Sequence, residues 1–305
     1  MNLRFDILGH RKWFFSLSCA ITITGLLLFL LFGFNLGTDF KAGSQIQLDI
    51  HRPFSTVKVE QVIGNSGVPV SNGAVTVAGM NGEIAMIRFP EVLSLTQESA
   101  IAHATSGAFP NSSLQVDTVD PLVAEQTSQK AILAVLIASL CIAVFITFRF
   151  EYRFSVAAII ALLHDAFIVM SVFVLLRLEV NLTFVAAVLT IIGYSINDTI
   201  VIFDRIRENL KQNPPKTHRE LHTLVNESLW QTMRRSLNTV ATVLIAAFML
   251  FFFGGQSIHS FTFALSIGLI SGAYSSIFIA APLWAVWYGR TLKKVAGAAH
   301  AINLT

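Results

Sequence analysis

The 305-residue sequence is poor in charged side chains and almost free of cysteine. Asp, Glu, Lys and Arg make up only 13% of it, about half the share in a typical soluble domain, whereas hydrophobic residues make up 54%. These proportions argue against an ordinary soluble protein and indicate a membrane protein. The two cysteines, Cys19 and Cys141, lie inside apolar runs, which favours apolar packing over a disulfide bond or a metal site.

The sequence also lacks the motifs of nucleotide and metal sites. It contains no GxxxxGK[ST] motif, so we do not expect this chain to hydrolyse ATP. His218 and His222 have the i,i+4 spacing of metal ligands, but the HExxH order and a third ligand are missing. We therefore expect no metal, no cofactor, no nucleic-acid ligand and no enzymatic activity. The transmembrane potential is the obvious alternative energy source, worth about 2.3 kcal/mol per charge per 100 mV.

Six apolar runs are long enough, or nearly so, to cross the hydrocarbon core of a membrane, which takes about 20 residues. They cover residues 13–34, 131–148, 154–176, 182–203, 237–254 and 259–288. Most of the 21 Lys and Arg residues fall in the segments 1–12, 149–153, 204–236 and 289–305, and such an excess marks cytoplasmic segments. The sequence therefore predicts a polytopic α-helical membrane protein with six transmembrane helices and both termini in the cytoplasm.

The long hydrophilic segment after the first run predicts an inserted domain on the outer side. We divide the chain into a cytoplasmic N-terminus with the first span (1–34), an exported domain (35–130) and a bundle of five further spans (131–305). In the exported domain the order β-α-β-β-α-β, with a hairpin turn at residues 80–82, is typical of an α+β ferredoxin-like fold. In the cytoplasmic segment 204–236, leucines at helical spacing predict a short amphipathic helix on the inner leaflet.

Two carboxyl groups fall inside predicted spans. Asp165, next to His164, lies near the middle of the third span. Asp198, next to Asn197, lies about six residues, or about 9 Å, from the cytoplasmic end of the fourth. An Asp at a helix centre costs roughly 2.5–3.5 kcal/mol on insertion scales, so both need an explanation. A buried carboxyl group near a cation can load and release a proton near neutral pH.

Two arginines are candidate partners of Asp198. Arg205 follows it by two helical turns, and Arg235 lies just before the fifth span. We therefore predict a proton relay of Asp198, Arg235, Asn197 and Asp165, with Arg205 as a candidate ion-pair partner. Other interpretations stay open: Asp198 and Asn197 as helix–helix contacts or part of a static ion pair, and Asp165 as a structural residue.

Small residues recur every fourth position in the sixth run, at Gly268, Gly272, Ser276 and Ala280. A stripe of small residues lets two membrane helices approach closely. The spacing therefore predicts a helix-packing face on the last span.

Three segments resemble the SecF family, the smaller partner of SecD in bacterial protein export. GYSINDTIVIFDRIREN (193–209) is similar to the fourth-span signature of that family. LGTDFKAGS (36–44) is similar to the stretch after its first span, and RRSLNT leading to FFFGG (234–255) to its fifth-span region. The resemblance covers nearly the whole chain. One departure is Ala42, where the family usually has the first Gly of a Gly-Gly pair.

The resemblance implies a subunit that pairs with a six-span SecD-like protein in the bacterial cytoplasmic membrane. The pair would form a twelve-span unit with the architecture of resistance-nodulation-division transporters. It also implies association with the SecYEG channel, and use of the proton motive force to promote late-stage export of a polypeptide. In that family the Asp of the Asn-Asp pair and the Arg before the fifth span are tied to proton conduction. Those positions are Asp198 and Arg235 here.

Other functions remain as alternatives at this stage. The first is a half-unit of a small-molecule or lipid transporter of the resistance-nodulation-division type, which would act with a second exported domain and a second set of six spans. The others are a passive membrane scaffold and an intramembrane enzyme built on His164 and Asp165. An enzyme would need a nucleophile or a metal set, and the sequence offers neither in a recognisable pattern.

Overall fold

The computed structural model describes residues 5–70, 74–78 and 82–302. Its helices are α1 (Arg11–Phe32), α2 (Thr56–Gly64), α3 (Leu95–Ala108), α4 (Pro121–Arg149), α5 (Tyr152–Leu175), α6 (Leu182–Gln212), α7 (His218–Phe253), α8 (His259–Ser275) and α9 (Ala281–Ile302). Its strands are β1 (Asn35–Leu36), β2 (Gly43–Asp49), β3 (Val75–Ala78), β4 (Ile84–Phe89), β5 (Ser113–Val119) and β6 (Glu179–Val180). A short 3-10 helix (Gln256–Ile258) precedes α8, and a π-helix (Ser276–Ala280) joins α8 to α9.

Six helical segments in the described part of the chain are long and apolar enough to cross a membrane, and each overlaps one predicted run. They are α1, α4, α5, α6, α7 and the continuous segment His259–Leu292. The last of these contains α8, the π-helix and the start of α9. The turns of a π-helix are wider than those of an α-helix, and Pro282 accounts for the π-helix here. It has no N–H to donate, and its ring displaces the preceding backbone. The predicted architecture of six transmembrane helices is confirmed.

The core of the bundle is formed by α5, α6 and the last span, which bury much of their apolar surface. By contrast, α1, α4 and α7 leave most of theirs exposed. The side chains of Leu133, Leu136 and Leu140 on α4 are examples. Such apolar surfaces are expected where a helix faces lipid or another membrane subunit.

The connection between α6 and α7 is shorter than the sequence predicts. The Pro214-Pro215 pair separates the two helices, and Thr217 begins α7 by accepting a hydrogen bond from the Glu220 N–H. From His218 onward α7 runs unbroken to Phe253, so the predicted short amphipathic helix on the inner leaflet is instead the first part of a 36-residue helix. No Gly or Pro interrupts that stretch, so nothing in the sequence ends the helix there. The apolar stripe of this part is buried, at Leu221, Leu224, Val225 and Leu229.

The exported domain has the predicted order β-α-β-β-α-β, from β2 to β5. Its sheet has the strand order β3-β4-β2-β5, and all three pairs are antiparallel. Residues 80 and 81 of the predicted hairpin turn lie outside the described residues, but the flanking strands β3 and β4 pair as a hairpin requires. The domain has a core of its own, which includes Ile46 and Leu48 of β2, Val59 and Ile63 of α2, and Ile101 of α3. The domain ends at Asp120, the N-cap of α4, about ten residues earlier than predicted because α4 extends beyond its apolar run.

A small parallel sheet, which we call the outer junction, ties the exported domain to the bundle. Strand β1, directly after α1, pairs with β6 in the connection between α5 and α6. The Arg88 guanidinium of β4 donates to the Leu36 carbonyl oxygen, and the Asp39 carboxylate accepts from the Leu182 N–H at the start of α6. The sheet of the exported domain is therefore connected to the helix that carries Asp198.

Candidate functional site

Asp165 is fully buried at the centre of the bundle, where three serine hydroxyl groups converge on its carboxylate. Ser195 Oγ of α6 and Ser275 Oγ of α8 each donate to Asp165 Oδ2 over 2.6 Å. Ser271 Oγ of α8 donates to Oδ1, also over 2.6 Å, and His164 Nδ1 lies 3.2 Å from the same oxygen. Asp165 therefore links α5 to α6 and α8, and these hydrogen bonds offset the free-energy cost of burying its carboxyl group.

None of these three hydroxyl groups is part of the sequence-based prediction for Asp165, and two of them, those of Ser271 and Ser275, come from α8. Their spacing of four residues places both on one face of α8, which is the only signal that the sequence contains. The last span carries several other serines at helical spacings, such as Ser266 and Ser276. Which of them meets Asp165 depends on the rotation of α8 about its own axis, and that is set by packing.

Asp198 lies in a narrow cleft between α6, α7 and α8, and only 4% of its surface is exposed. The cleft offers about 10 Å³ to the centre of a water molecule, roughly the room that one water needs. Within the described part of the chain, no nitrogen of Lys, Arg or His lies within 4 Å of this carboxylate. Asp198 therefore differs from Asp165: it is shielded but not held by a closed set of donors.

Two residues of α7 lie near Asp198. The Ser236 hydroxyl is buried beside the carboxyl group but outside hydrogen-bond geometry. Arg235 has an exposed side chain and acts on Asp198 through its charge, at a distance beyond direct contact. The carboxylate thus has a nearby positive charge without an ion pair that would hold it in place.

The other two predicted partners, Asn197 and Arg205, make no hydrogen bond or ion pair with the Asp198 carboxylate. Asn197 lines the cleft, although its side chain is largely exposed. Arg205 donates to Glu208 and to Gln231, each over 2.6 Å, and the predicted pairing of Arg205 with Asp198 is not found. Seven residues along a helix correspond to about 10.5 Å, and the Arg205 guanidinium bonds to the closer acceptors Glu208 and Gln231 instead.

Ser195 belongs to the surroundings of both acids. Its Oγ donates to Asp165, and the same residue lines the cleft that contains Asp198. One turn further along α6, the Thr199 hydroxyl contacts the Ser276 hydroxyl over 2.8 Å. A carboxyl group, a hydroxyl group and a water-sized space in this order have the chemical parts that a proton transfer between Asp165 and Asp198 requires.

The small-residue stripe lies against α6. All four residues are buried, namely Gly268, Gly272, Ser276 and Ala280. A side chain added at Gly268 would collide with the Ile191 side chain, and one at Gly272 would come within 3.3 Å of Ser195. The close approach of α8 to α6 therefore brings Ser271 and Ser275 within reach of Asp165.

We expect the Gly268→Ala variant to destabilise the bundle by about 1–3 kcal/mol, the usual cost of overpacking a well-filled core. The added methyl group has no space beside Ile191, which is itself buried. Gly193→Ala on α6 is the matched control, because nothing lies within 4 Å of its new methyl group. Thermal unfolding of the purified variants checks this. Equal stability of both variants would show that the close contact between α6 and α8 has no energetic role.

At the outer junction, Glu179 is a half-buried acid outside the membrane spans. Burial raises the pKa of Glu179 above its usual value of 4.5, although the Arg88 guanidinium and the Thr38 N–H act in the opposite direction. The Asp39 carboxylate adds a smaller effect that also raises it. The folded junction therefore binds a proton more tightly than the unfolded chain does.

This shift predicts a pH dependence that the Glu179→Gln variant should lack. The contribution of Glu179 to stability is fully present below about pH 4.5 and is lost as the pH rises through the raised pKa. The melting temperature of Glu179→Gln relative to wild type should therefore increase between pH 4 and pH 7. Glu91→Gln, at an exposed position of the exported domain, is the control and should show no such trend. A constant difference for Glu179→Gln would contradict the burial argument.

The described residues contain no group of three or more His, Cys, Asp or Glu side chains that is arranged to hold a metal ion. The spaced histidines His218 and His222 lie on the first turns of α7, near Arg11 and Arg290 and away from the acids in the bundle. The chemistry of the bundle centre thus rests on carboxyl and hydroxyl groups.

Comparisons with known proteins identify relatives over nearly the whole chain. Residues 100–290 match the family described as protein export membrane protein SecD/SecF, C-terminal. The chain is 56% identical to the protein translocase subunit SecF of Alicyclobacillus acidocaldarius, over 96% of both proteins. It is 42% identical to the protein translocase subunit SecDF of Bacillus subtilis, over 95% of this chain and 39% of that longer protein.

The fold is also found among solved structures. The crystal structure of SecDF from Thermus thermophilus, a translocon-associated membrane protein, matches with a TM-score of 0.84 and 29% identity. The match covers 94% of this chain and 39% of the SecDF chain.

Proposed function

Because the chain belongs to the SecD/SecF family of protein export membrane proteins, we propose that it couples proton movement to protein export as one membrane subunit of a translocase. One observation carries this proposal. Asp198 is shielded in a water-sized cleft, with the charge of Arg235 nearby and no ion pair to any described residue. A carboxyl group in this position can change its protonation state without a large rearrangement of its partners.

The proposed cycle begins when a proton from the outer side reaches Asp198. Asp165 and Ser195 are the groups through which it would pass, since Ser195 touches the first acid and lines the cleft of the second. Neutral Asp198 no longer attracts Arg235, so α7 can move relative to α6 until the proton leaves to the cytoplasm. The membrane potential supplies about 2.3 kcal/mol per charge per 100 mV for each turn of this cycle.

The outer junction is the route by which such a movement would reach the exported domain. Helix α6, which carries Asp198, begins at Leu182, and Asp39 accepts from the backbone N–H of that residue. Strands β1 and β6 form the next link, and Arg88 extends it to the central part of the domain's sheet. A shift of α6 along its axis would therefore tilt the exported domain, which would bind the emerging polypeptide.

The partners follow from the relatives. In the Bacillus subtilis SecDF, the segment similar to this chain makes up 39% of a longer protein, so a SecD-like part accompanies it there. We propose that this chain pairs with a separate or fused SecD-like partner through its exposed apolar helices, and acts beside the SecYEG channel. Its place would be the bacterial cytoplasmic membrane, in contact with lipid and with both termini inside, as the positions of Lys and Arg indicate.

Export by membrane vesicles that lack this chain tests the function. Inverted vesicles are resupplied with the chain and a SecD-like partner, and protease protection of an exported precursor is followed with ATP, in the presence or absence of an uncoupler. We expect resupply to accelerate the late part of translocation only while the proton gradient is present. Equal export with and without the chain would refute the proposal. Co-purification with a small-molecule efflux partner instead of Sec components would favour the transporter alternative.

A further inference from the structure

A cleft at the end of the bundle that we place in the cytoplasm is lined by four basic side chains from three elements. Arg11 is the first residue of α1, Arg290 lies near the end of the last span, and His218 and His222 lie on the first turns of α7. The volume of the cleft is about 480 Å³. That is within the usual range of about 300–1,000 Å³ for small-molecule sites and far more than a water needs.

The two arginines have no acidic partner in the described part of the chain. Neither Arg11 nor Arg290 lies within 4 Å of a described carboxylate. The Arg11 guanidinium makes one hydrogen bond within the described chain, to the Leu8 carbonyl oxygen. The Asp6 carboxylate lies 3.5 Å from His222 Nε2.

Asp6 carries a negative charge beside the cleft but does not reach its two arginines. Burial alone would raise the pKa of Asp6, but hydrogen bonds from the Gly9 N–H and Asn226, with the charges of two nearby histidines, hold that pKa below its usual value. Asp6 therefore stays ionised, and its Oδ1 already accepts from Gly9 and Asn226. Its carboxylate lies beyond 4 Å of both guanidinium groups, which stay open to an external anion.

The remaining wall of the cleft is apolar. Leu8, Leu221 and Val286 are among its lining residues, and the first two are almost completely buried. The cleft thus combines two fixed positive charges with hydrocarbon, at the level where three helices end. A free anion in water would gain nothing from the apolar wall, whereas an amphipathic anion would use both parts.

We propose that this cleft binds the headgroup phosphate of an anionic phospholipid from the inner leaflet. Guanidinium groups match phosphate oxygens in pairs, and basic clefts between membrane helices on the cytoplasmic side suit acidic lipid headgroups. The acyl chains would leave along Val286, which is partly exposed. The bound lipid would hold the N-terminal segment to α7 and to the last span.

Lipid binding to the full-length chain in a neutral detergent tests this proposal. Phosphatidylglycerol and phosphatidylcholine are titrated separately, with bound lipid counted by native mass spectrometry and the melting temperature followed in parallel. We expect selective binding of phosphatidylglycerol, and at least about tenfold weaker binding by the Arg11→Gln/Arg290→Gln variant. The matched control is Arg149→Gln/Arg153→Gln, which removes two cytoplasmic arginines outside the cleft and should bind as wild type does.

Each other outcome overturns the proposal. Equal binding of the two lipids would show that charge is not recognised, and equal loss in the control variant would show a general surface effect. Displacement of the lipid by glycerol phosphate at similar concentrations would assign the site to a soluble phosphate compound instead. Arg290 is exposed, so Arg290→Gln alone keeps the fold and gives the same comparison if the double variant does not fold.

Discussion

The Asp198→Asn variant is expected to lose the proton-gradient-dependent part of export completely, while export driven by ATP alone continues. Asparagine has nearly the same shape as aspartate and fits the narrow cleft between α6, α7 and α8. It cannot bind or release a proton near neutral pH, and it carries no charge for Arg235 to attract. The variant is therefore fixed in a state that resembles protonated Asp198.

Vesicles that carry the variant together with a SecD-like partner measure this effect. The rate of late-stage translocation with a gradient should fall to the rate that wild-type vesicles show with an uncoupler. Asp204→Asn is the matched control, six residues further along the same helix. Its carboxylate forms an exposed ion pair with Arg149 at 3.2 Å, and its loss should leave the gradient response intact.

Two results would contradict the role of Asp198. One is a normal gradient response in Asp198→Asn, and the other is an equal loss in Asp204→Asn, which would point to a general effect of charge near the cytoplasm. Arg235→Lys adds a further comparison. Since Arg235 acts through its charge and without a direct contact, lysine should preserve more of the response than glutamine does at the same position.

The large features of the fold follow from composition and pattern. The spans could be predicted because about 20 apolar residues are required to cross hydrocarbon, and soluble helices do not have that constraint. The order of elements in the exported domain could be predicted because alternation and helical spacing are local properties. Asp165 and Asp198 stood out for the same reason, since a carboxyl group inside an apolar run is costly wherever the helices finally lie.

Features that depend on packing could not be predicted. Strands β1 and β6 have two residues each, too few to show alternation, and they meet across about 140 residues of sequence. Which side chains of α8 donate to Asp165 depends on the rotation of α8 about its own axis. The width of the cleft around Asp198 depends on the distance between α6 and α7. Arg205 illustrates the opposite error: its position in the sequence favoured Asp198, but Glu208 and Gln231 are closer in space.

The Asp165→Ala variant is expected to lower the free energy of unfolding of the bundle by about 2–5 kcal/mol. Three serine hydroxyl groups from two helices lose their common acceptor, and such bonds within membranes contribute about 0.6 kcal/mol on average and up to about 1.7 kcal/mol. Three such bonds together account for the expected loss of about 2–5 kcal/mol.

Unfolding by a denaturing detergent, followed by circular dichroism, measures this loss. Asp204→Ala is the control of the same residue type, because its exposed ion pair with Arg149 should contribute no more than about 1 kcal/mol.

Asp165→Asn separates structure from proton transfer: its side-chain carbonyl still accepts from the serines, so it should regain part of the lost stability. If Asp165 only holds helices together, export by the asparagine variant should respond to the gradient in proportion to that recovered stability. If Asp165 passes protons to Asp198 through Ser195, the response should be lost even in the fraction of the variant that is fully folded. Unchanged stability of Asp165→Ala would show that the three serines bond equally well to the backbone of their own helices, and that the buried carboxylate is not what joins α5 to α6 and α8.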